Sequence, residues 1–158
     1  MRSVEATGEA GQVGGMEGLV FGMLVFVCGT LVIANAWAVA DAKLAASAAA
    51  REAARAFVES TAPTVDDAMD DARVAAAEAI TGYGRNPDKM RFATEDEPQL
   101  LRCARVTVVV EYPVPLISLP LLGRHGSGFT ARGRHSEIVD PFRAGLPDRT
   151  QCPPALQP

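Results

Sequence analysis

Gly18-Leu19-Val20-Phe21-Gly22-Met23-Leu24-Val25-Phe26-Val27-Cys28-Gly29-Thr30-Leu31-Val32-Ile33-Ala34-Asn35-Ala36-Trp37-Ala38-Val39-Ala40 is an unbroken run of 23 uncharged residues, with Glu17 just before it and Asp41 just after. At ~1.5 Å per helical residue the run reaches ~34 Å, enough to cross a hydrocarbon core of ~30 Å. It therefore predicts a membrane anchor, with the lipid bilayer as the first partner. Nothing breaks the helix at Asp41: Leu44 to Val58 has no Gly or Pro and is rich in Ala, the best helix former. One helix should continue to about Ser60. Arg51, Arg55 and Glu59 are expected on one face, and Leu44, Ala50, Ala53, Ala54 and Phe57 on the opposite side. On this reading residues 16–60 are a transmembrane and stalk helix, lying half in lipid and half in water beneath a small domain.

Residues 1–15, without periodicity, read as a disordered leader. Thr61-Ala62-Pro63 interrupts the helix, and Thr64 can cap a second one with Asp66 and Asp67 in its first turn. The second helix is predicted to stop at Gly82, with Val65, Ala68, Ala72, Ala75, Ala76 and Ile80 as its apolar face. A short strand is expected at Met90 to Thr94. Ala104 to Tyr112 alternates, with Val106, Val108, Val110 and Tyr112 on one face, and Phe129 to Val139 is its expected antiparallel partner. The fold class is thus α+β: a long N-terminal transmembrane helix continuing into water, a second helix and a small antiparallel sheet. The small domain occupies 61–150 and a tail 151–158.

Roughly 95 residues outside the span and tail allow one modest core and no second domain. The net charge of −4 is unclustered, and no basic stripe interleaves with aromatics, so nucleic acid is not an expected partner. Catalytic patterns are missing. His125, His135, Cys103 and Cys152 show no zinc spacing, Gly126-Ser127-Gly128 is not a nucleophile elbow, and Asp66, Asp67, Asp70 and Asp71 lack the glycine and distal glutamate of a calcium loop. No enzyme, metal or cofactor is expected.

Four features remain open. Ala38-Val39-Ala40 before Asp41 is a signal-peptidase pattern, but the leader's Arg2 is outnumbered by Glu5, Glu9 and Glu17, and the apolar run exceeds the usual ~7–15 residues, which favours an uncleaved anchor. Cys103 and Cys152 follow the span; they are either a disulfide closing a long loop or two unrelated thiols. The run Pro113-Val114-Pro115-Leu116-Ile117-Ser118-Leu119-Pro120-Leu121-Leu122 is apolar, yet its prolines oppose a central strand. It is either a loop laid over the core or a contact surface for membrane or partner, with Leu116, Ile117, Leu119, Leu121 and Leu122 as the residues concerned. By Lys and Arg counts, Lys43, Arg51 and Arg55 after the span against Arg2 before it place the C-terminal part inside, although these arginines pair locally with Glu52 and Glu59.

Gly11-Gln12, a Glu at 17, the uninterrupted span and Ala48-Ala49-Ala50-Arg51-Glu52-Ala53-Ala54-Arg55 together resemble TadE-like minor pilins of Tad-type (tight adherence) pilus systems. Arg105-Val106-Thr107-Val108-Val109-Val110-Glu111-Tyr112-Pro113-Val114-Pro115 and His135-Ser136-Glu137-Ile138-Val139-Asp140-Pro141-Phe142-Arg143 are similar to the C-terminal part of such proteins from high-GC Gram-positive bacteria. The resemblance, loose and compositional, covers about Gly11 to Pro147. It implies a membrane pilin-like subunit whose small domain is outside the cell and whose partners are other pilin or pilus-assembly subunits. It also implies a prepilin peptidase as partner, with Gly11 the candidate processing site. A cut there makes Glu17 the sixth mature residue, one later than the family pattern. Glu17 is the candidate assembly residue, pairing in a helix bundle with a neighbour's α-amino group. The alternative is a bitopic envelope protein, unrelated to pili, that binds a partner through its outer domain.

Overall fold

No proline occurs between Ala10 and Glu59, and alanine dominates the second half of that stretch, so one helix runs its whole length: α1, Ala10–Glu59. The computed structural model describes residues 10–115 and 128–146, with side chains from Glu17 onward. The helix starts earlier than expected, at Ala10 rather than after Gly15; a helix already nucleated gains one hydrogen bond per residue it adds, against a cost of about 1 kcal/mol at each glycine. It ends where Pro63 disfavours helical geometry upstream and Arg143, arriving from the far end of the chain, donates to the carbonyls of Val58 and Ser60. A cation there complements the negative end of the helix dipole, which no basic residue of α1's last turn supplies.

Helix α2, Val65–Gly82, is capped as its sequence predicts: the Thr64 hydroxyl accepts from the Asp67 amide at 3.1 Å, with Asp66 and Asp67 in the first turn. A 3-10 turn, Pro87–Lys89, leads to β1, Arg91–Thr94. Strands β2, Arg105–Val114, and β3, Phe129–Ile138, complete an antiparallel sheet of order β1-β2-β3, making the protein α+β. β2 extends past the predicted Tyr112 through Pro113. That proline is tolerated because β1 reaches only to Glu111 of β2, so on that side no partner is left without a donor.

The chain divides into two compact units, Met1–Trp37 and Ala38–Pro158. In the first, Thr30 Oγ1 and Asn35 Nδ2 each donate to a carbonyl one turn back, Phe26 and Leu31, at 2.9 Å, so polar side chains inside the apolar run have partners without water. In the second unit, α1 contributes the core rather than a stalk beneath it. Ala45, Ala46, Ala49, Ala50, Ala53, Ala54 and Phe57 recur at helical spacing and are fully buried against Ala68, Ala72, Ala76 and Ile80 of α2 and Val106, Val108 and Val110 of β2. Leu44 does not join them and is 61% exposed. Lying seven and eleven residues before Arg51 and Arg55, it falls on their face, not the opposite one.

The other sheet face departs from simple alternation, since Thr107 and Val109 are also buried. Arg134, paired with Val109, grips Glu95 across β2 with two donors, from Nε at 2.9 Å and Nη2 at 2.7 Å, and the Thr107 and Ser136 hydroxyls lie 2.9 Å apart. The ion pair thus spans β2 between Thr107 and Val109, which sequence alternation alone places in water.

β3 meets α1 at Gly133, where an added Cβ would fall 2.0 Å from the Ala46 carbonyl oxygen. Only glycine permits that approach. Gly133→Ala is expected to destabilise the second unit by about 1–3 kcal/mol, although alanine is otherwise the better strand residue. Denaturant unfolding of the full chain in detergent checks this; an unchanged midpoint would contradict the packing.

Candidate functional site

The uncharged run ends at Ala40, and the first ionisable side chain after it is held by an arginine from the segment following α2. Arg85 Nη2 donates to Asp41 Oδ2 at 2.6 Å and to the Ala38 carbonyl at 3.4 Å, and its guanidinium carbon lies 5.2 Å from the centre of the Tyr112 ring. Gly84, at φ +68°, turns the chain so that Arg85 can reach back. Tyr112 in turn donates to the Asn86 carbonyl at 3.2 Å. The Arg85 side chain is mostly buried, and among the described residues its Nε has no hydrogen-bond partner. The cluster is charge-neutral and has no acid, base or nucleophile poised for reaction; it fixes α2's exit to α1 at the end of the uncharged run. No motif announces it, since the partners are 44 residues apart.

Beside it, Val114 and Ala131 bury against Ala42, with Ala38 and Val39 packed alongside. The strand ends that bracket residues 116–127 therefore stand at this same end of the second unit. Leu116, Ile117, Leu119, Leu121 and Leu122 themselves lie outside the described residues.

Other expected site residues fall as follows. Gly11 lies within α1, one residue after its start. Glu17 is exposed and sits about two turns into α1, not in its first turn as the sequence predicts. The helix dipole acts mainly within the first turn, so it offers this carboxylate little. Cys103 is buried and disulfide-bonded, Cys28 is free and exposed, and Cys152 lies outside the described residues. Cys103 also adopts φ 63°, a left-handed conformation unusual for a side chain with a Cβ, and its amide donates to the Val139 carbonyl at 3.0 Å. Asp70 and Asp71 are engaged by Arg73, at 2.7 Å, and by the Ser60 hydroxyl, at 2.6 Å.

Among the described residues one helix, near the N-terminus, is long and apolar enough to cross a membrane, and its most apolar stretch is not buried within the structure. At the opposite end of α2 an open groove of about 610 Å³ is lined by Thr61, Pro63, Pro98, Leu100 and Leu146 among others, and its lining among the described residues has no carboxylate, imidazole or thiol. No family model, curated protein or solved structure matches the chain.

On the solvent face of the sheet, the hydrogen bonds from Arg134 hold the Glu95 carboxyl below its ordinary value. A depressed carboxyl contributes stability that is complete above the ordinary glutamate range and is lost as pH falls through the depressed value. Glu95→Gln is expected to lower the melting temperature at neutral pH and to flatten its decline on the acid side. Equal melting curves for the two proteins at every pH would contradict the role given to the pair.

Proposed function

We propose that this chain is a structural, pilin-like subunit, anchored in the cell membrane through Gly18 to Ala40, that takes part in assembly of a Tad-type surface pilus. The observation that carries the reading is the state of α1's apolar half. Leu19, Phe21, Leu24, Phe26, Ile33 and Trp37 are all exposed, Trp37 by 77%, on a scale that soluble monomers rarely show. Such a surface suits lipid or a bundle of like helices. Its second half, built into a small α+β unit, suits a subunit displayed by its own membrane helix.

The second unit is placed outside the cell, and the disulfide at Cys103 supports that side because disulfides persist in oxidising compartments. The count of Lys43, Arg51 and Arg55 after the span against Arg2 before it points the other way. Of the three, Arg55 pairs with Glu59 at 3.0 Å and Lys43 donates to the Arg132 carbonyl, so two are engaged within the unit.

Glu17 supplies the residue-level test. Two turns into α1 and beside the uncharged run, the carboxylate gains little from the dipole and needs a cation at the membrane face. Glu17→Ala is expected to accumulate in membranes with its second unit folded, yet to lose co-purification with other pilus components. Recovery with those components at the wild-type yield would contradict the assembly role. It would leave the envelope-protein alternative, in which the outer unit alone meets a partner.

A further inference from the structure

The uncharged run ends at Ala40, so the side chains packed on Ala38 to Ala42 lie within about one helical turn of its boundary. Those side chains belong to the second unit: Arg85 on Ala38 and Asp41, and Val114 and Ala131 on Ala42. Two exposed aromatics belong to the same end. Phe129, 53% exposed, pairs with Val114 at the first position of β3, and Tyr83, 45% exposed, is two residues before Arg85. Gly128, at φ +75°, brings the chain onto Val114 so tightly that a Cβ there would lie 2.6 Å from the Val114 carbonyl oxygen, which fixes where Phe129 enters the sheet. Exposed rings at this level suit a membrane interface, because a ring presents an apolar body to the acyl chains while the tyrosine hydroxyl stays in water.

We propose that this edge of the second unit, with Phe129 and Tyr83 foremost, rests on the lipid surface of the membrane that holds α1. The inference deepens the membrane reading above and rests on it. The occupant is lipid because the edge is continuous with Ala38 to Ala40, the end of the run that is itself taken to lie in the bilayer. A second copy of the chain has no such continuity with the edge.

The full chain carrying Cys28→Ser tests this, with a single cysteine placed in turn at Phe129, Tyr83, Val25 and Asp96 and labelled with an environment-sensitive fluorophore without reduction of the Cys103 disulfide. Asp96 follows β1 at the opposite end of the strands, where Thr94 pairs with Val108, and serves as the remote control. The proteins are reconstituted in phosphatidylcholine and phosphatidylglycerol vesicles, with and without spin-labelled lipids, the label lying near the headgroup for Phe129, Tyr83 and Asp96 and deep in the acyl chain for Val25. The labels at Phe129 and Tyr83 are expected to lose much of their emission to the spin-labelled lipid, while the label at Asp96 keeps its own. If Phe129 and Tyr83 are quenched no more than Asp96 while Val25 is quenched, the edge stands clear of lipid and this proposal fails with the anchor intact. If Val25 too escapes quenching, the anchor fails and the proposal falls with it. An emission shift at Phe129 that follows protein density rather than spin-labelled lipid would assign the edge to a second copy and overturn the proposal.

Discussion

The second unit depends on how closely backbones can approach one side of α1. Ala42, Ala45, Ala46, Ala49, Ala50, Ala53 and Ala54 present almost no side chain to their neighbours, and opposite Ala46 the sheet answers with Gly133, which presents none. Two backbones therefore come into direct contact, and the position of β3 follows. Lys43 donating to the Arg132 carbonyl ties the same place. Once β3 is set, its ten-residue register with β2 carries Val106, Val108 and Val110 onto the two helices. With so many alanines, bulk must come from elsewhere, and Phe57, Ile80 and those three valines supply it. Each such side chain contributes about 1.5–3 kcal/mol when fully buried.

The same helix presents two kinds of surface along its length, as a membrane anchor that continues into a packed unit would, and its sequence changes character at Asp41. Before it, large apolar side chains are exposed and the few polar ones bond to their own backbone. After it, small residues turn inward and charged ones outward. Dispersion contacts favour alanine where partners press close, whereas lipid rewards large apolar area, so one continuous helix needs both compositions. Asp41 marks the change and Arg85 neutralises it, which leaves no lone charge at the transition.

Much of this was legible in the sequence because it depends on periodicity and local chemistry. The Thr64 cap, the limits of α2, the alternation of Val106 to Tyr112 and the strand from Phe129 each follow from neighbours in the chain. What could not be read depends on partners far apart. Arg143 capping α1, Arg85 on Asp41 and Glu95 crossing β2 to Arg134 join residues 85, 44 and 39 positions apart. Leu44 is expected opposite Arg51 and Arg55, but counting sevens and elevens sets it beside them. Glu17 is second in a helix expected from residue 16, and the helix instead runs on through the glycines to Ala10. The expectation of a membrane anchor is legible in the uncharged run itself, whereas the proposed assembly role rests on resemblance.

The side of the membrane on which the second unit lies decides most. In cells expressing the full chain with Cys28→Ser and Asp96→Cys, a membrane-impermeant maleimide is applied before and after permeabilisation, and the protein is recovered from carbonate-washed membranes. Labelling of intact cells to the full extent, on protein that stays with the membrane, is the predicted result. Labelling only after permeabilisation, or protein released by carbonate, would contradict an anchored chain whose α+β unit faces outward.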